Sequence, residues 1–194
     1  MSAAARILLT VWLALWLVGR TSAAPPEPDT GEVSGHVVSG DETAATLDYW
    51  TPQRMAEAIP TAPEQPGVEG PLAAADTVAT VTTTYAVPNA QYSQLPYRAS
   101  GKVYFTHATD GQDYVCSGAA VGGRVVLTAG HCVSDGAGRF HRNWLFVPAY
   151  YRGSVPYDRW PGRTLLTFDA WHFGKNYCRD VAFAVVGHAG SPTL

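Results

Sequence analysis

Charge is scarce in this sequence. Asp, Glu, Lys and Arg make up 15% of its 194 residues, the formal net charge is −3, and the thirteen basic residues are scattered without a cluster. Such a chain offers no cationic stripe to a phosphate backbone or an anionic bilayer, so nucleic acid and membrane surfaces are not expected partners. Cysteine is scarce as well: there are three, and no Cys-x-x-Cys pair of the kind zinc favours. No repeat with a period of some 20 to 50 residues is visible, which argues against a solenoid. Only one long apolar run exists, at 7–18, broken by Thr10 alone. A membrane-spanning helix needs about 20 such residues, so the run is too short to anchor the chain. With Arg6 before it and the small residues Thr21-Ser22-Ala23 after it, it has the layout of a secretory signal peptide cleaved after Ala23. Residues 1–23 are therefore expected to be removed, leaving a secreted, extracellular protein with no membrane attachment. Export to an oxidising compartment permits disulfides.

What is abundant is turn chemistry, with 19 glycines and 14 prolines. Ten of those prolines fall between Pro25 and Pro96, among low-complexity runs such as Ala73-Ala74-Ala75 and Thr82-Thr83-Thr84. Residues 24–99 are expected to bury little apolar surface and to be mostly disordered, as a propeptide or a plain linker. One exception is a helical turn over 52–58, with Thr51 as N-cap and Pro52 at the first position.

From Gly101 onward the pattern changes to β. Short runs at 102–107, 114–121, 124–128, 144–150, 163–168 and 181–186 are rich in Val, Phe, Tyr and Leu and are separated by Gly, Asp, Asn or Pro. Six strands so spaced suit a small closed barrel, which leaves no exposed edge. Gly122-Gly123 between two of the runs reads as a two-residue hairpin loop. That hairpin brings Cys116 and Cys132 within reach of a disulfide. It would close a loop of about 15 residues, worth roughly 3 kcal/mol in the chain-entropy model, and would restrain the backbone beside His131.

The segment Thr128-Ala129-Gly130-His131-Cys132, with Cys116-Ser117-Gly118 sixteen residues before its cysteine, resembles the histidine motif of the trypsin/chymotrypsin family of serine proteases. The resemblance implies that His131 is the general base and that Cys116 pairs with Cys132. It also implies an orienting aspartate some 45 residues later, at the start of a buried strand. Asp180, followed by the apolar run 181–186, fits both demands, whereas Asp158 and Asp169 lack a comparable strand. The stretches Tyr49-Trp50-Thr51-Pro52 with Arg54-Met55, and Phe146-Val147-Pro148 with Tyr150, Pro156-Tyr157 and Trp160-Pro161, are similar to secreted actinobacterial trypsin-like and glutamyl-endopeptidase-like members. The family's activation sequence Ile-Val-Gly-Gly is absent near residue 99.

The implied fold is all-β. Residues 100–194 would form the N-terminal six-stranded antiparallel β-barrel of the chymotrypsin fold, with the second barrel missing and a largely disordered pro-segment in front. The implied activity is peptide-bond hydrolysis by a Ser/His/Asp triad on protein or peptide substrates, with no cofactor and no metal. The family's nucleophile motif, Gly-Asp-Ser-Gly-Gly, does not occur. Ser191 lies too close to Asp180 and precedes a proline with no N–H for an oxyanion loop, while Ser117 and Ser154 read as strand and loop residues. The chain is thus expected to be truncated before its catalytic serine and inactive as it stands.

Two other readings compete. A single barrel with part of a triad would be a non-catalytic binding module for peptides. A zinc site from Cys116, His131, Cys132 and Cys178 would require adjacent His and Cys to face one ion, which a strand-like backbone opposes. Cys178, the odd cysteine, would find a partner beyond residue 194, pair between molecules, or stay as a free buried thiol. His36, His107, His141, His172 and His188 read as ordinary surface or satisfied histidines.

Overall fold

The computed structural model describes residues 31–61 and 87–187. The expected leader at 1–23, His188 and Ser191 lie outside these. A short strand, β1 (Val33–Val37), leads into helices α1 (Gly40–Tyr49) and α2 (Pro52–Glu57) and a two-residue strand, β2 (Ile59–Pro60). The barrel follows as β3 (Ser100–Thr106), β4 (Asp113–Gly122), β5 (Val125–Thr128), β6 (Arg142–Pro148), β7 (Trp160–Phe168), one helical turn α3 (Asp169–His172) and β8 (Ala182–Val186). Strands β3, β4, β5, β8, β7 and β6 pair antiparallel in that order, and β6 pairs back onto β3, so the sheet closes on itself. This is the single six-stranded antiparallel barrel that the sequence implied.

Its interior follows from alternation. Val103 and Phe105 of β3 and Trp144 and Phe146 of β6 face inward, with Val126, Trp160, Leu165, Ala182, Ala184 and Val186 completing the core. The residues between them, Tyr104, Leu145 and Val147, face outward and are just as buried. What covers them is the N-terminal segment. Trp50, Met55 and Ala58 close a second core over these three side chains. The Trp50 indole is fully buried and donates from Nε1 to the Asn143 carbonyl at 2.6 Å.

The expectation of disorder across 24–99 is therefore corrected for residues 31–61. Proline content argued for an open chain, but a barrel with apolar residues on its outer face creates a demand for cover, and this segment meets it. Local chemistry supports the helices. Ser39 caps α1 by accepting from the Glu42 N–H at 3.1 Å, and Thr51 caps α2 from the Arg54 N–H at 3.3 Å with Pro52 next, as the sequence predicted. The Arg159 guanidinium donates to the Leu47 and Trp50 carbonyls at the end of α1, both at 2.8 Å. β1 adds to the edge of β7 beyond the point where β6 leaves it.

The hairpin between β4 and β5 differs by one residue from its sequence reading. Gly122 pairs with Val125, so the loop is Gly123-Arg124, with Gly123 at φ +52°. A register shift after Ala120 absorbs the slip.

Candidate active site

His131 sits in a single 3-10 turn, Gly130–Cys132, just past the end of β5. Asp180 sits just before β8, after a second 3-10 turn, Tyr177–Arg179. β5 and β8 are antiparallel neighbours in which Thr128 faces Ala182, so the exit of one strand lies beside the entrance of the other. That pairing unites two residues 49 positions apart. Asp180 Oδ2 lies 2.7 Å from His131 Nδ1, and Asp180 Oδ1 accepts the His131 backbone N–H at 2.7 Å. A carboxylate only accepts, so Nδ1 carries a ring proton, and in the neutral imidazole Nε2 is the nitrogen with the free lone pair. The competitors take no part: Asp169 accepts from the Ser34 hydroxyl, and Asp158 accepts the Arg159 N–H in an exposed loop.

Three features hold the turn. Cys116 and Cys132 form a disulfide with their Cα atoms 6.1 Å apart. Gly130 is required by close approach: a Cβ there would lie 2.7 Å from the Trp171 ring and 3.0 Å from Asp180 Oδ1. The third is His141, which is buried and stacked on Phe105 with ring centroids 4.4 Å apart. Its Nδ1 accepts the Ala108 N–H at 3.1 Å, so its other nitrogen carries the proton and donates to the His131 carbonyl at 3.2 Å. Burial, with the neighbouring His107, lowers its pKa to about 3 and keeps it neutral. The sequence reading classed His141 with ordinary histidines. No local motif marks it, because β6 and the loop after β3 bring it to the site.

A similar arrangement lies behind the imidazole. Ser134 Oγ is 2.7 Å from His172 Nδ1, and burial lowers the His172 pKa. Beside it Asp135 is buried, which raises its pKa, but hydrogen bonds from the Ala137 and Arg139 N–H groups, Thr109 and the Arg139 guanidinium outweigh this and hold it at about 2.

Cavities flank His131. One of about 450 Å³ is lined by Phe105, His107, Tyr114, Trp171 and Tyr177 with His131. The other, about 470 Å³, runs over the disulfide past Lys102 and Ser117. Among the described residues no serine hydroxyl is hydrogen-bonded to His131.

The zinc reading fails on covalent grounds. Cys116, His131 and Cys132 do cluster, but the two sulfurs are bonded to each other and are not thiolates. The strand-like backbone invoked against this site is itself corrected, since His131 and Cys132 share a 3-10 turn. Cys178 is free and exposed, which excludes the buried thiol among its three readings.

Residues 86–146 match the Trypsin family model. Among solved structures, the protease Anisep from Arthrobacter nicotinovorans is 38% identical with a TM-score of 0.46, covering 48% of this chain and 43% of that one. The thermostable serine protease AL20 from an extremophilic microorganism is also 38% identical, with a TM-score of 0.45, covering 48% of this chain and 44% of that one. The chain thus spans less than half the length of either structure. No curated protein matches it. Among the described residues no helix is long and apolar enough to cross a membrane.

Proposed function

We propose that the chain belongs to the trypsin-like serine protease family, whose model matches residues 86–146, and that its barrel supplies the base half of a Ser/His/Asp triad for the hydrolysis of peptide bonds. The carrying observation is the double contact of Asp180 with His131, to Nδ1 and to the backbone N–H. It fixes both the tautomer and the orientation of the ring. In this reading His131 Nε2 takes the proton of an attacking serine hydroxyl and returns it to the leaving amine, while Asp180 stabilises the imidazolium between the two transfers. The serine and the backbone N–H groups of the oxyanion hole are contributed by a second barrel outside these 194 residues. The substrate is a protein or peptide, and neither a metal nor a cofactor takes part. Residues 1–23 act as an export leader, and 24–99 as a pro-segment of the secreted precursor.

The test is to read the coding DNA beyond codon 194. An open frame reaching a Gly-Asp-Ser-Gly-Gly motif, whose expressed product hydrolyses casein and loses that activity with His131→Ala, is the expected result. A stop codon with no such motif sinks the protease reading for this chain. The runner-up, a peptide-binding module without catalysis, then takes its place; it is favoured by the extended strand that β4 already holds beside His131.

A further inference from the structure

Strand β4 has one edge that the barrel does not use. β3 covers its first edge from Asp113 to Ala119, but β5 reaches the second edge only from Ala119 to Gly122. The stretch before Ala119 leads straight into Cys116, which is bonded to the residue after His131. An extended chain laid on this free edge passes beside the imidazole. Such an edge is a template for an incoming strand, with main-chain hydrogen bonds supplying the affinity.

In this chain the edge is occupied. Ile59 and Pro60 pair parallel with Tyr114 and Val115, and the Thr61 N–H donates to the Val115 carbonyl at 3.1 Å. Pro60 and Thr61 also line both cavities that flank His131. We propose that Ile59–Thr61 is an autoinhibitory strand, which covers the β4 edge beside His131 and must lift before an extended peptide can lie there. The proposal rests on the reading of the His131 site as a place where peptides bind and names its regulation.

The construction suits a gate. The segment's anchor lies upstream. Trp50 fills the second core, Arg159 holds the carbonyls of Leu47 and Trp50, and Asp113 receives the Tyr49 hydroxyl at 2.8 Å and the Arg54 guanidinium at 3.1 Å. The strand beyond α2 is held far more lightly. Ile59 is 42% exposed and Pro60 is exposed, so little apolar surface is covered by their pairing. Pro60 has no N–H, so it cannot donate to the ladder. Residues 59–61 can therefore detach while α1 and α2 stay in place, because local opening costs only the contacts it breaks. Any substitution that weakens those few contacts raises the fraction of molecules with a free edge.

The experiment measures binding of a fluorescein-labelled heptapeptide, Ala-Glu-Ala-Ile-Pro-Thr-Ala, which copies residues 56–62. Its fluorescence anisotropy is titrated with the full chain, with Thr61→Pro, and with the triple variant Ile59→Gly, Pro60→Ser, Thr61→Gly. Apparent affinity scales with the fraction of molecules whose edge is open, so the triple variant should bind at least about tenfold more tightly than the parent, with Thr61→Pro between them. Equal affinity for all three proteins overturns the proposal. Should the triple variant lose its near-UV circular dichroism, Thr61→Pro, which removes a single donor, decides the matter alone. Hydrolysis is not read here. A missing serine motif would sink the protease reading and leave the gate standing, and unchanged anisotropy would sink the gate and leave that reading intact.

Discussion

Both oxygens of the Asp180 carboxylate are spent on one residue: one on His131 Nδ1 and the other on the His131 backbone N–H, each at 2.7 Å. Ring and main chain are clamped by one group. Asp180→Asn keeps one acceptor oxygen but presents an NH₂ where the other was, so one of the two contacts must fail. The Nδ1 proton resonance of His131, read by NMR on this chain, should be lost or shifted upfield. In a complete enzyme built on this barrel, peptide hydrolysis should drop by a factor on the order of 10⁴. An unchanged resonance would show that the clamp does not set the tautomer.

Gly130→Ala tests the packing behind the turn. The new methyl would stand 2.7 Å from the Trp171 ring and 3.0 Å from Asp180 Oδ1, closer than carbon atoms pack. Either the indole or the carboxylate has to move. A loss of about 1–3 kcal/mol in urea unfolding is expected, together with a weakened His131–Asp180 contact in the same NMR spectrum.

Trp50→Ala tests whether the N-terminal segment is part of the folded unit. The indole is fully buried against Tyr104, Leu145 and Val147 and donates to the Asn143 carbonyl. Truncation should cost about 3–5 kcal/mol of unfolding free energy. A cost near zero would mean that α1 and α2 rest on the barrel without stabilising it.

Acid should destabilise the barrel through His141. Its folded pKa, about 3, lies below the ordinary value of 6.5, because burial and the nearby His107 disfavour the charged form. Between these values the unfolded chain binds the proton and the folded chain does not, so stability is complete above pH 6.5 and falls as pH drops towards 3. His172, also lowered by burial, adds to this in the same direction. Below about pH 4 Asp135 adds a further loss, since its carboxylate is held at about 2 by its hydrogen bonds. His141→Gln, which keeps a donor for the His131 carbonyl but cannot take up the proton, should flatten the limb between pH 6.5 and 4 in thermal melts. An unaltered limb would assign the acid sensitivity elsewhere.

The sequence by itself determined the strands and the motif. Alternating apolar residues separated by turn formers specify six strands whatever surrounds them, and Thr128-Ala129-Gly130-His131-Cys132 is local in the chain, as is the Thr51-Pro52 start of α2. The disulfide was legible because its two cysteines flank a hairpin, which is itself a short-range feature. The fate of residues 31–61 was not read correctly, although a signal existed. Tyr104, Leu145 and Val147 are apolar on the face that an isolated barrel would expose, and such a face requires a cover. Tertiary structure alone decided which segment supplied it, because Trp50 and Tyr104 meet although they lie 54 positions apart in the chain. It alone placed His141 behind His131 and Ile59–Thr61 on the edge of β4. These contacts join positions far apart in the chain, and no local preference encodes them. They arise where closure of the barrel leaves a carbonyl without a donor or a strand edge without a partner, and both are costly to leave unmet.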